Sequence, residues 1–243
     1  MESREITEIE LHANALDSVE WQLSRPIGIL KFVVDYLLST IVESCRISPS
    51  SKVLVVCGGP GYEASRLGES GAEVVNPDIS QPMSRIALMR RTKTGASLSS
   101  LACDVQNLPI RDKSFDLAVS VSGLHHVPDF LGSLSEMCRV SSRYVALVEP
   151  LNTTFRRLLD RFTNITVEYN GLRPVCHTRK QIANLVASER FAFRTFRRVF
   201  LDSHRITSYV ISNEVAQFKV SKSIDSVLGG FGMQFVMVAE RTS

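Results

Sequence analysis

The sequence predicts an α/β fold built on a doubly wound, mostly parallel sheet of seven strands with helices on both faces. Three observations predict it. Short strand-like runs at Val53–Val56, Leu98–Ala102, Phe115–Val121 and Tyr144–Val148 alternate with helical stretches, the pattern of βαβ units. The first run is continuously apolar, as in a strand covered on both faces. It ends in Gly58-Gly59-Pro60-Gly61, and a second short run, Val74-Val75, leads to Asp78. Strand, glycine turn, helix, strand, acid is the layout of a nucleotide-type pocket at strand carboxyl ends.

Residues 1–24 show weak helical periodicity, with Trp21 read as a packing anchor or as a residue that closes over a substrate. Pro26 suits a first helical turn. Leu30, Val33, Val34, Leu37, Leu38 and Ile41 then recur at three- and four-residue steps, so an amphipathic helix packs on the sheet here. Ser48-Pro49-Ser50-Ser51 breaks it. After the glycine turn, Glu63 to Leu67 begins a helix that Gly71 follows. Ser80 is placed to cap the next helix, with Pro82 in its first turn. Arg85, Arg90, Arg91 and Lys93 read as its solvated face. Ser122 to Asp129 is a loop into a helix that runs through Val140. Thr178 with Gln181 forms a capping box for a helix over 179–189. Phe193–Leu201 and Gln234–Ala239 read as strands that pair antiparallel at the sheet edge.

The 243 residues suit one domain with additions. A net charge of +3 does not call for nucleic acid. The five cysteines are odd in number and scattered. With no secretory signal, they read as reduced thiols in a cytoplasm. The longest apolar stretch, Ile27 to Val42, is broken by Lys31 and Asp35 and is not a membrane span. Cys176-His177 is too sparse for zinc, so no metal is expected. Basic residues thicken between Leu151 and Arg205. They form either a solvated surface or a region that draws an anionic acceptor, such as a carboxylate or a phosphorylated metabolite. Little aromatic interleaving speaks for RNA.

From about Lys52 to Pro150 the chain resembles the class I S-adenosylmethionine-dependent methyltransferases, in particular the subgroup acting on small molecules. VLVVCGGPGYEA matches the family's glycine motif. Asp78 in NPDIS matches its ribose acid, and Asp104 in ACDVQNLPIRDKSFDLAVS its adenine-region acid. The acid, then Leu-Pro, then Ser-Phe-Asp before a strand is the most specific signature, and LHHVPDF after that strand is also typical. Two positions depart from the pattern. Val55 stands where the family often has an acid, and Cys57 where its first glycine usually stands.

The resemblance implies a Rossmann-like fold: residues 1–50 a helical cap, 51–150 the cofactor-binding core, and 151–243 completing the sheet and adding acceptor-pocket insertions. It implies S-adenosylmethionine as cofactor and S-adenosylhomocysteine as product. The cofactor-binding residues would be Cys57, Gly58, Gly59, Gly61, Asp78, Ile79, Met83, Asp104, Val105 and Ser122. Asp78 would take the ribose hydroxyls, Asp104 the adenine amino group, Met83 the side of the adenine, and backbone near Ser122 the methionine end. The reaction would be in-line methyl transfer to an O, N or C nucleophile of a small organic molecule. An acceptor that must lose a proton calls for a base titrating near neutrality. His126 and His125 sit just after the fourth strand on the crevice side, and His126 is favoured. His177 and His204 are weaker candidates. A homodimer is left open. Two rivals remain. Gly59 to Ala64 also fits a dinucleotide pattern, with an NAD(P)-dependent oxidoreductase as its consequence. The missing acid at Val55 suits a member of the fold put to non-methylating use.

Overall fold

The computed structural model describes residues 23–24, 29–162, 173–200 and 211–242. Trp21, Pro26 and His204 lie outside them. The elements run α1 (Ile29–Cys45), β1 (Lys52–Val55), α2 (Tyr62–Gly68), β2 (Glu73–Asp78), α3 (Gln81–Thr94) and β3 (Leu98–Ala102). There follow β4 (Phe115–Val121), α4 (Phe130–Val140), β5 (Ser141–Pro150), α5 (Thr154–Phe162), α6 (Arg179–Ser188), β6 (Phe191–Val199), α7 (Glu214–Leu228) and β7 (Gln234–Arg241). α7 is a helix that no sequence signal above had singled out.

The strands form one seven-stranded sheet in the order β3-β2-β1-β4-β5-β7-β6. β1 to β5 pair in parallel. β7 is antiparallel to both of its neighbours, β5 and β6. The reversed strand therefore sits one place in from the edge, and β6 closes the sheet. The antiparallel pairing of the last two strands is as the sequence predicts.

Successive side chains in each strand point to opposite faces, and both faces are covered. Val53, Val55, Val119, Ala146 and Val238 pack under α1 and α2 with Val33, Leu37, Ile41 and Leu67. On the other face Leu54, Ala118, Val145, Leu147 and Met237 pack under α4 and α6 with Leu134, Met137, Ile182 and Val186. This explains why the strands read as continuous apolar runs: each alternate residue meets its own layer of helix. Burying a side chain of this size contributes roughly 1.5–3 kcal/mol.

Helix ends follow local chemistry. The Ser80 hydroxyl accepts from Met83 N at the start of α3, where Pro82 has no N–H that needs an acceptor. Asp129 caps α4 through Gly132 N. Thr178 and Gln181 form the expected capping box at α6. The one helix-face expectation that fails is Arg90. It is buried, donates from Nε to Pro60 O at 2.9 Å and lies over the Tyr62 ring at 5.6 Å. The guanidinium thus holds the glycine turn from behind, while its neighbours Arg91 and Lys93 stay at the surface.

Ile41 is fully buried where α1 meets the sheet. Ile41→Ala is expected to lower unfolding free energy by about 2–5 kcal/mol in urea titrations. A loss below about 0.5 kcal/mol, the range of ordinary surface changes, would contradict this packing of α1.

Candidate functional site

Four strand ends converge on one cavity of about 260 Å³. β1 and β4 are neighbours, but the chain leaves β1 on one side to build β2 and β3, and builds β5 on the other side of β4. The connections diverge there and leave a crevice at the carboxyl ends. Cys57 and Gly59 line it after β1, Asp78 and Ile79 at β2, Cys103 to Gln106 after β3, and Ser122 and Gly123 after β4. His126, Val127 and Pro128 complete the wall.

The glycine turn is shaped for close approach. A Cβ on Gly58 would lie 1.9 Å from Asn76 Oδ1, so only glycine fits against β2. Gly59, at φ +47°, has nothing within 4 Å of where a Cβ would stand. Gly58 therefore serves packing, and Gly59 presents bare backbone to open space, where a ligand can lie. Cys57 and Ser122 are non-glycine residues at φ of 52° and 53°. Such backbone costs of order 1–3 kcal/mol and tends to cluster at ligand sites. Here the two strained residues end β1 and β4, on either side of the crevice.

Asp78 is the joint between the turn and β2. Its Oδ2 accepts from Gly59 N at 2.8 Å and its Oδ1 from Ser80 N at 2.8 Å. Each oxygen has further acceptor capacity for hydroxyls of a ligand. Asp104 accepts from Gln106 N at 2.8 Å and from Gln106 Nε2 at 3.0 Å, which caps the short 3-10 turn Val105–Asn107. Both carboxylates face the same cavity. The side chain of Ile79, an apolar group left 37% exposed, lies on the same wall and offers a flat ring something to rest on.

The stretch from Asp104 to Asp116 is a strut. Leu108 is buried in the core under α4, and its N–H donates to Glu136 at 2.9 Å. Arg139 on α4 donates to Leu108 O at 3.0 Å and Ile110 O at 2.7 Å. Asp116, at the far end of β4, accepts from Lys52 N at 2.9 Å. The Leu-Pro and Ser-Phe-Asp signature thus positions Asp104 without itself touching the cavity.

Beneath the loop after β4 lies a residue that sequence reading passed over. Glu149, at the end of β5, has no exposed surface. Its Oε1 accepts from Ser120 Oγ, Gly123 N and Leu124 N at 2.9–3.0 Å, and its Oε2 from His125 Nδ1 at 2.5 Å. Burial alone would push its pKa up. The His125 charge and the bonds from His125, Leu124 and Gly123 outweigh burial and hold it below the usual carboxylate range. An acid within an apolar strand end was the available signal.

That bond decides between the two histidines. His125 is buried against Glu149 and does not line the cavity, so it is withdrawn as an acceptor-facing base. His126 lines the cavity, its ring 4.1 Å from that of His125. The His177 ring lies tilted against Phe130 at 4.6 Å, outside this wall. Three expected ligand contacts are also corrected. Met83 is 2% exposed and packs with Ile86 and Leu23 in a small core, so it does not flank the cavity. Gly58 and Gly61 support the turn from behind. Conversely, Pro77, Cys103, Gln106, Gly123, Val127 and Pro128 line the wall and went unnoticed. Val55, where an acid was missed, is buried among apolar side chains.

The two thiols of the wall are inert near neutral pH. Burial, then the charges of Asp78, Glu149 and Asp104, push the Cys57 pKa well up. Burial, Asp104 and Asp78 push Cys103 up to about 11. The thiolate is the nucleophile, so neither competes for an electrophile bound here. The same carboxylates make the cavity favourable to a cation. No group of His, Cys, Asp and Glu suited to a metal occurs among the described residues. No described helix is long and apolar enough to cross a membrane.

Residues 54–145 match the family described as "Methyltransferase domain". The chain is 33% identical over 103 residues to a ubiquinone/menaquinone biosynthesis C-methyltransferase of Paraburkholderia phymatum, covering 41% of this chain and 42% of the relative. It is 32% identical over 104 residues to a demethylmenaquinone methyltransferase of Staphylococcus saprophyticus, covering 41% and 44%. The matched stretch spans less than half the length of these relatives. Among solved structures, the magnesium protoporphyrin IX methyltransferase of Synechocystis with bound S-adenosylhomocysteine superposes at a TM-score of 0.70. That match has 13% identity and covers 98% of this chain and all of that one. The [4+2]-cyclase SpnF superposes at 0.61 with 17% identity, covering 85% and 80%. These likenesses show the fold. The family match includes the block from Asp104 to Asp116, for which a dinucleotide fold has no call.

Glu149→Gln tests the buried bond. Removing one partner of a buried pair is expected to cost about 3 kcal/mol at pH 7. Because the folded carboxylate titrates below its unfolded value near 4.3, its stabilisation is complete above that pH and is lost as pH falls through the folded pKa. The stability gap between wild type and variant, measured by urea unfolding across pH, should therefore close below about pH 4. A gap independent of pH would contradict the ionised pair.

Proposed function

We propose that this chain, whose residues 54–145 are a methyltransferase domain of the class I S-adenosylmethionine-dependent type, transfers a methyl group to a nucleophilic atom of a small organic acceptor. One observation carries the reading. Two carboxylates on successive strand ends, Asp78 and Asp104, face one cavity across from the bare backbone of Gly59.

The residues fit the cofactor. Asp78 would accept from the ribose hydroxyls, a carboxylate having acceptor capacity for several donors besides Gly59 N and Ser80 N. Asp104 and the Val105 amide would take the adenine edge, with Ile79 against its face. Backbone at Cys57, Gly59 and Ser122 would line the methionine end. When bound, S-adenosylmethionine supplies a sulfonium methyl already activated for in-line displacement, so alignment contributes much of the acceleration. The carboxylate-rich wall favours its positive charge, and the protonated thiols of Cys57 and Cys103 do not intercept the methyl. His126 would stand nearest the acceptor and hold or take its proton. Residues 1–50 and 151–243 would shape the acceptor side. Five free cysteines suit a reducing cytoplasm.

A second reading keeps the nucleoside but not the chemistry. It is favoured by Val55 and Cys57, where the glycine motif departs from its pattern. Release of S-adenosylhomocysteine in the presence of an acceptor panel separates the two.

Asp78→Ala is expected to weaken S-adenosylhomocysteine binding by about 1–3 kcal/mol, the range for losing hydrogen bonds to a charged group. Calorimetric titration measures it against a thermal melt that confirms folding. Unchanged affinity in a folded variant would remove Asp78 from the site.

A further inference from the structure

A second, larger cavity of about 910 Å³ opens beyond β5, between the starts of α5 and α6, the end of β6 and the last turns of α7. It lies at the same end of the strands as the first. Pro150 at the end of β5 and Val199 at the end of β6 both stand opposite Gln234 at the start of β7. One short segment joins the two walls. Val175 N donates to His125 O at 3.0 Å, next to His126 of the first cavity. His177 accepts from Asn152 N at 3.0 Å, and Asn152 lines the second.

The lining is strongly basic. Arg157, Arg179, Arg197, Arg198 and Lys222 face a single carboxylate, Asp225. Asp225 is buried and already engaged by Arg197 and by Phe200 N at 2.6 Å. Arg198 donates from Nε to Gly232 O at 2.9 Å. The remaining three cations have no carboxylate partner among the described residues. Arg157 rests on the neutral oxygens of Asn152 and Thr154, both at 3.2 Å. Arg179 lies over the Phe196 ring at 4.9 Å, and Lys222 over the Tyr36 ring at 4.9 Å. Neutral oxygens and ring faces hold the cations in direction without cancelling their charge. Arg179 is moreover the first residue of α6, where aligned peptide dipoles already favour negative charge. Phe196, Tyr36 and Leu151 add apolar wall beside them.

We propose that this cavity binds the anionic end of an organic molecule, a carboxylate or phosphate carried on an aromatic or apolar body, with Arg157, Arg179 and Lys222 as its donors. Resting on the methyl-transfer reading, that molecule is the acceptor, whose reacting end then lies toward His126. The charged end is bound through ion-assisted hydrogen bonds and the body against Phe196 and Tyr36.

The test is calorimetric titration of the full chain with benzoate, phenyl phosphate and uncharged benzamide, each repeated on an Arg179→Gln/Lys222→Gln double variant. At least one anion is expected to bind about tenfold or more tightly than benzamide, and the variant to lose about tenfold, the cost of charged hydrogen bonds. Which anion binds distinguishes carboxylate from phosphate. Both anions binding no better than benzamide, or unchanged affinity in a folded variant, would overturn the inference. S-adenosylhomocysteine titrated into the same samples reports on the first cavity separately. Its binding without anion binding sinks only this proposal. Anion binding without it supports the basic cavity and sinks the methyl-transfer reading.

Discussion

A single buried carboxylate, Asp78, ties the glycine turn to the second strand, and the shape of the site depends on that tie. It accepts from Gly59 N on one side and Ser80 N on the other. Without it, the backbone after β1 would lose the acceptor that satisfies Gly59 N at the crevice. The same two oxygens are the ones that a ribose diol would reach. On the proposed reading fold and binding share one group, so the turn is in place before any ligand arrives, and ordering it would cost the ligand little.

Around that joint the molecule supports each strand end from behind. Arg90 holds the carbonyl of Pro60. Arg139 clamps the connection that carries Asp104. Glu149 gathers two amides, a hydroxyl and an imidazole under the loop that carries Ser122. In each case a charged side chain satisfies backbone groups that the divergence of the strands leaves unpaired. The left-handed backbone at Cys57 and Ser122 persists because these supports over-determine it.

Much of this was legible in the chain. The central strands announced themselves because a sheet covered on both faces favours apolar residues along β1, β4 and β5. Asp78 was legible because strand, glycine turn, helix and strand lead to an acid at a strand end, and Asp104 through the resemblance of the block it opens to a known methyltransferase family. What sequence could not resolve was direction. His125 and His126 are adjacent, and only the buried Glu149 shows which one is turned inward. Met83 and Arg90 both sit on α3, but periodicity does not say which rows of that helix meet the turn. Glu149 reads as the polar end of a strand until its four donors are seen. The basic residues after Leu151 were visible as composition. Their gathering on one cavity depends on β6 returning beside β7, a pairing that brings residues 150, 199 and 234 to one level.

The two cavities lie at the same end of the strands but differ in charge. The first is walled by carboxylates and suits a cationic sulfonium nucleoside; the second is walled by cations and suits an anion. The most direct measurement of the central claim is a crystal structure of the full chain with S-adenosylhomocysteine. The expected result has both ribose hydroxyls within hydrogen-bond distance of the Asp78 carboxylate and the adenine beside Ile79 and Asp104. A nucleoside lodged elsewhere, with neither ribose hydroxyl within reach of Asp78, would contradict it.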